Sequence, residues 1–302
     1  MNTPSRIVDA HVHLYDHKQN RHTFLDQVDP GYEAFVGNYD ALPRRYLLAD
    51  YLADTQGYRV DAIVWHEFLS DDPWSEAAWA QELAGRGGVR HALVAMVDFL
   101  DPDLERKLDQ YETLPHLTAV REHLVWDESN PLKRFAKRPD LLRDPAWQKQ
   151  LHLLDRRRFK CGLEVFAHQL PDLIHVIRRH PEIGFTVAVM GWPMDLSAAG
   201  FSRWQRSLAD LAACDNIRMG ISALECIFGM KWSADDAAGW VHAAIDTIGP
   251  SRCMFGSHLP IARLSTEFGD LFQRHSAFVS RYSAEEIDGM FHGVADGWFR
   301  PA

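Results

Sequence analysis

The chain reads as a single (β/α)8 barrel of the TIM type spanning residues 1–302, and three observations carry that reading. Eight short apolar runs recur along the sequence, each followed by a stretch with helical spacing. Such strict alternation implies a parallel sheet wrapped by helices. The 302 residues suit eight units closing into a ring, a fold that usually takes about 250 residues and tolerates insertions. No Gly-x-Gly-x-x-Gly follows the first strand, so the competing open, doubly wound sheet lacks its dinucleotide fingerprint.

The predicted strands, in order, are "RIVDAHVH", "RVDAIVWHEF", "VRHALVAMVD", "LTAVREHLV", "KCGLEVFAH", "IGFTVAVMG", "NIRMGIS" and "RCMFGSH". Between them lie helical stretches such as "WSEAAWAQELAGR", "LPDLIHVIRRH", "FSRWQRSLADLAAC" and "SADDAAGWVHAAIDTIG", with "TEFGDLFQRHSAFVSRY" after the last strand. Ser75 ahead of Glu76, Asp101 before Pro102 and Ser233 ahead of Asp236 are expected to cap three of them. One connection is long, from Tyr15 to Pro43, and rich in His, Asp, Asn, Gly and aromatic residues. Long connections of this kind are commonly functional. Following the first strand at the C-terminal face, it is expected to form a partial lid over the site.

Hydrophobic residues make up 46% and charged residues 25% of the chain, the composition of a folded globular protein. The net charge of −10 disfavours nucleic acid or an anionic membrane as partner. No apolar run approaches the 18 or so residues of a membrane span. The N-terminus lacks an apolar secretion segment. Cys161, Cys214, Cys226 and Cys253 show no metal-binding or redox spacing, which points to free thiols in a reducing cytoplasm. A homo-oligomer is left open.

The first strand raises the functional question. Residues of a strand alternate between faces, so Asp9, His11 and His13 are expected to point into the barrel, and Val8, Ala10 and Val12 to meet the helices. Buried imidazoles need hydrogen-bond partners or a metal, and two at this spacing can grip one ion. His11 and His13 are therefore candidates for catalysis and for metal binding. Other strand ends offer His66 and Glu67, Asp98, Arg121 and His123, Glu164 with His168 just beyond, and His258. Strand six offers no ligand, and strand seven only Ser222. Arg121 either neutralises rim carboxylates such as Glu67 and Asp98 or, in an acidic protein, is the best placed inward cation for an anionic substrate. Glu67, His123 and His168 are further candidate substrate contacts, with Trp192 as an apolar or sugar-stacking wall.

"IVDAHVHL" near the start and "RCMFGSHLP" near the end resemble the amidohydrolase-related family of barrel hydrolases. "AVREHLVWDESN", "LEVFAHQLPDL" and "GPSRCMFGSHLPIARLS" are similar to segments of its lactonase-like branch, which includes L-fuconolactonase and 2-pyrone-4,6-dicarboxylate lactonase. The resemblance implies a hydrolase opening a small lactone of the sugar-acid or pyrone-carboxylate type, in some members with a divalent metal and in others without. It also implies a strand-eight aspartate as base, in Gly-Ser-Asp-Trp-Pro, and often a strand-six histidine, in Asp-His-x-Gly. Here the corresponding residues are Gly256-Ser257-His258-Leu259-Pro260 and Ala188-Val189-Met190-Gly191. His258 is thus expected to replace the carboxylate as catalytic base. A divalent ion, zinc on His11 and His13, is expected to be weakly held or absent, because two histidines make a poor zinc site. Two alternatives stay open: a non-catalytic binding barrel that lost its base, and a lactone isomerase or decarboxylase.

Overall fold

A computed structural model describes residues 4–301. Eight parallel strands form one sheet in chain order: β1 (Ile7–Val12), β2 (Val60–His66), β3 (Arg90–Met96), β4 (Leu117–His123), β5 (Lys160–Glu164), β6 (Phe185–Val187), β7 (Ile217–Ile221) and β8 (Cys253–Phe255). The ring closes between β8 and β1. Val12 bridges Leu259 in parallel, the His258 N–H donates to the His11 carbonyl at 2.8 Å, and the His13 N–H donates to the Leu259 carbonyl at 2.8 Å. All eight expected strands are present, in a (β/α)8 barrel. β6 is shorter than its sequence suggests, because the chain turns into a 3-10 segment at Ala188–Gly191, with Val189 and Met190 at positive φ.

Alternation sorts the strand residues into two cores. Ile63, Trp65, Leu93 and Ala95 pack outward with the helices. Ala62, Val64, Ala92, Val94, Ala119 and Met254 form a separate cluster with Ala295 and Phe299 of the C-terminal helix Val294–Phe299. That helix, which the sequence pattern did not reveal, plugs the barrel floor. Its Trp298 Nε1 donates to Thr186 Oγ1 at 2.9 Å, and the Arg218 guanidinium lies over the Trp298 ring.

The facing of β1 corrects the sequence expectation. Val8 and Ala10 belong to the inner cluster beside the plug helix, whereas Asp9 points to the helix layer and accepts from the Tyr51 hydroxyl at 2.9 Å. The β1–β2 register is irregular between Asp9 and Val12. This bulge inserts an extra residue and shifts the phase, so Val12 packs outward with Trp65 while His11 and His13 still reach the mouth. Asp9 ties the seam instead: its Oδ1 accepts from the Ser257 N–H at 2.7 Å. Burial pushes its carboxyl up to about 6, against the hydrogen bonds from Ser257 and Tyr51.

Helix starts differ by a few residues from the expected caps. Asp72, not Ser75, caps Pro73–Gly85, accepting from the Trp74 and Ser75 N–H groups, and the next helix starts at Leu104. Ser233 and Asp236 form the expected reciprocal cap of Ala234–Ile248. The connection after β1 is ordered. Tyr15–Asp16 pairs with Arg45–Tyr46 in an antiparallel ribbon, and Asp29 caps the helix Pro30–Val36 by accepting from the Tyr32 N–H at 2.7 Å. A buried pair, His22 Nε2 and Glu76 Oε1 at 3.2 Å, fastens this lid to the helix after β2.

Gly256 marks the tightest point of the seam. A Cβ there would lie 2.6 Å from His11 Cβ and 2.7 Å from the His11 backbone nitrogen. Gly256→Ala should therefore cost about 1–3 kcal/mol of stability by overpacking, read from the urea midpoint. An unchanged midpoint would show that the seam has slack.

Candidate functional site

Four imidazoles meet at the C-terminal mouth of the barrel. The His11 ring centroid lies 4.9 Å from His13, 4.3 Å from His66 and 4.8 Å from His258. One ring nitrogen each of His11, His13 and His258 comes within 4.8 Å of the others. His13 Nδ1 faces the carbonyl oxygens of His66 and Glu67 at 3.0 and 3.1 Å. His258 Nδ1 faces Glu225 Oε1 at 2.6 Å. Both partners only accept, so both imidazoles carry hydrogen at Nδ1. His66 has the opposite arrangement, its Nε2 donating to the Ala10 carbonyl at 3.1 Å. His11 Nδ1 meets Ser222 Oγ at 2.8 Å, and its Nε2 is buried with no partner. Burial, then the neighbouring imidazoles, hold His11 well below the usual histidine range. Burial, then His258 and Arg121, do the same to His13. Both are neutral at pH 7.

The second half of the site is a closed ionic cluster. Arg121 is buried, with its Nε donating to Glu67 Oε1 at 2.6 Å and its Nη1 to Glu164 Oε1 at 2.6 Å. His123 bridges the same two carboxylates, Nε2 to Glu67 at 2.9 Å and Nδ1 to Glu164 at 3.2 Å. Burial opposes charge on His123, but Glu164 and Glu67 outweigh it and raise the imidazole to about 9. In the same way His123 and Arg121 overcome burial to hold Glu164 down at about 2 and Glu67 well below the carboxylate range. Two cations thus balance two anions. Of the two readings of Arg121, the pairing with rim carboxylates is the one seen: both faces of its guanidinium fork are taken.

His11, His13, Glu67, Arg121, His123, Trp192 and His258 line one cavity, with about 550 Å³ of empty space counting its open mouth. The lid contributes Tyr32, Phe35 and Val36 to its wall. His168 is not among the lining residues. It lies in the 3-10 turn Ala167–Gln169 and borders a separate surface depression. Asp98 pairs with Lys137 at the surface, away from the cavity.

Sequence reasoning missed Glu225, on the short helix Leu224–Phe228 after β7. The alternation rule covers strand ends, and Glu225 is three residues past Ser222, beyond its reach. Ala223, at φ 54°, turns the chain so that the helix starts at the mouth, and His258 is held at φ 60°. Trp192 and Leu69, also at positive φ, complete a ring of strained residues just beyond the strand ends, where such strain clusters at functional sites.

These residues fit a divalent metal ion. His11, His13 and His258 supply three nitrogens, the partners on Nδ1 of His13 and His258 leave Nε2 as the lone-pair atom of each, and His11 Nε2 is an orphaned buried nitrogen. Anchoring of the second ring nitrogen by a carbonyl or carboxylate is the usual support of a ligating histidine. His258 thus brings a third nitrogen to the pair on β1. Glu225, Cys226 and His258 also approach within 4.8 Å of one another.

The imidazoles and carboxylates gather at the C-terminal mouth of the barrel, where barrel enzymes carry their chemistry. The amidohydrolase family model matches residues 8–300, and the chain belongs to that family. It is 26% identical over 297 residues to the uncharacterized protein y4mH of Sinorhizobium fredii, covering 97% of this chain and 98% of that one. It is 27% identical over 232 residues to an L-fucono-1,5-lactonase of Burkholderia multivorans, covering 73% and 75%. A crystal structure of a Burkholderia multivorans amidohydrolase with bound zinc superposes with a TM-score of 0.80 at 21% identity, covering 98% and 99%.

The ionic cluster predicts a pH dependence. His123, raised to about 9, contributes stability that is fully present below its ordinary value of about 6.5 and lost as pH rises through about 9. Glu76 and Glu122, pushed up to about 7 by burial, act with the same sign below neutral pH, where the depressed His11 and His13 act oppositely. The urea midpoint should therefore fall as pH rises from about 7.5 to about 10, and His123→Gln should remove most of that fall. A flat or rising profile would contradict the charge assignment.

Proposed function

We propose that this protein is a hydrolase that opens a small lactone with an activated water. The observation that supports it is the convergence of His11, His13 and His258 on one lidded cavity, with His258 backed by Glu225. Family membership supports a hydrolase, and the L-fucono-1,5-lactonase relative supports a cyclic ester as the bond.

Ring opening needs a polarised carbonyl, a deprotonated water and a proton for the leaving alkoxide. With hydrogen on Nδ1, the inner nitrogen of His13 presents a lone pair; it can hold a cation but cannot donate to a carbonyl oxygen. A divalent ion held by His11 and His13 would supply Lewis-acid polarisation of the carbonyl when bound, leaving His258 Nε2 free to act as base. His258 Nε2 takes the proton of the attacking water, while Glu225 keeps the Nδ1–H in place and stabilises the imidazolium. The same Nε2 then returns the proton to the alkoxide. Glu67 and Glu164 accept from ring hydroxyls, and Arg121 and His123 position the two carboxylates rather than touching substrate. The aromatic lid excludes bulk water. Among the described residues no helix is long and apolar enough to cross a membrane. The four cysteines are free and buried, which supports a cytoplasmic setting.

A panel of sugar lactones and pyrone carboxylates, followed by acid release, tests the reading; ring opening of none would contradict it. His258→Asn should lower kcat by about 10²–10⁴ with the fold retained, the usual size of a general-base effect. Turnover near wild type would remove His258 from the mechanism. Zinc bound after dialysis should drop on substituting His11 or His13 by Ala. Retention of zinc by His258→Asn would assign His258 to proton transfer, and its loss would make His258 a ligand.

A further inference from the structure

We propose that the cavity selects an uncharged ring ester and rejects carboxylated ones, with Tyr32 and Trp192 as the specificity-determining donors for neutral oxygens of the substrate. The proposal rests on the lactonase reading and narrows its substrate class.

Charge is the first argument. Among the described residues lining the cavity, Arg121 is the one Arg or Lys side chain. Glu67 and Glu164 consume it completely, and the remaining cation, His123, bridges the same two carboxylates. A substrate carboxylate seated against these walls, away from any ion on His11 and His13 that the ester carbonyl would engage, would lose its hydration, find no unpaired side-chain cation, and face two carboxylates. Burying such a charge unpaired is strongly unfavourable. In an acidic chain of net charge −10, the wider field does not help it either.

The walls are the second argument. Tyr32, Phe35, Phe68, Phe135 and Trp192 surround the polar floor, and Phe35 meets Trp192 edge-on at 5.7 Å. Such walls suit the apolar face of a sugar-type ring. Two polar atoms in them lack any protein partner: the Tyr32 hydroxyl and the Trp192 indole N–H are both buried and unpaired. Both residues are only 6% exposed. A buried donor without an acceptor is costly, so a ligand that brings neutral hydroxyl or ring oxygens to these two positions relieves that cost. Tyr32 arrives on the lid helix and Trp192 on the turn after β6. Lid closure and recognition are therefore coupled: the lid residue that covers the substrate also reads it.

A matched pair of probes tests this, galactono-1,4-lactone and its C6-carboxylate counterpart galactaro-1,4-lactone, on zinc-loaded and on chelated full-length protein. Binding is read from tryptophan fluorescence and ring opening from acid release. The expected result is tighter binding of the uncharged lactone by about tenfold or more. Tyr32→Phe and Trp192→Phe should each weaken its binding by about tenfold, with the thermal midpoint of Tyr32→Phe no lower than that of the wild type. Phe135→Lys, which adds a cation to the wall, should recruit the carboxylated probe. Uncharged binding without ring opening would leave this inference standing and overturn the lactonase reading. Equal or preferred binding of the carboxylated probe to the wild type, or binding of neither, would overturn the inference.

Discussion

Everything at the mouth depends on the seam between β1 and β8. Chain ends 250 or so residues apart are joined there by the His258 N–H to His11 carbonyl and His13 N–H to Leu259 carbonyl bonds, locked by Asp9 accepting from Ser257. Each of these bonds involves a functional histidine or its neighbour. The closure that makes the sheet a ring is therefore also what brings the late imidazole to the early pair. Gly256 is required because His11 occupies the space a side chain would take. Ring closure and site assembly are one event.

The site divides into two electrostatic territories that barely exchange charge. On the β1–β8 side, crowded neutral imidazoles present lone pairs, because burial and mutual repulsion keep protons off His11 and His13. On the β2–β4–β5 side, Arg121 and His123 hold Glu67 and Glu164 ionised in a balanced cluster. The first territory suits a cation and a proton acceptor; the second fixes polar groups in place without leaving net charge. Breaking one member of such a buried network exposes the others unpaired, so the cluster holds its geometry as a unit.

Much of this was legible in the sequence and some was not, for physical reasons. The eight alternating units were readable because apolar periodicity records burial, and the long connection after β1 was readable as a lid from its length and composition. His11, His13 and His258 stood out because imidazoles at strand ends of a barrel face its mouth. The facing of Asp9 and Ala10 was misread, since a bulge shifts the phase of alternation without altering composition. Arg121 was visible as a cation with Glu67 as one conceivable partner, but a sequence shows charges and not their geometry, so its second pairing, with Glu164, was hidden. Glu225 was missed because it reaches the mouth from a helix, through a left-handed turn at Ala223. The floor plug at Val294–Phe299 was missed because its apolar residues face a barrel interior that no local pattern announces.

The fold presents the inner nitrogens of His13 and His258 as lone pairs by fixing hydrogen on the outer ones. Long-range nitrogen–proton NMR of histidine-labelled protein at neutral pH measures this residue by residue. Hydrogen is expected on Nδ1 of His13 and His258 and on Nε2 of His66. Hydrogen on Nε2 of His13, or a His258 ring that Glu225 does not hold at Nδ1, would contradict it.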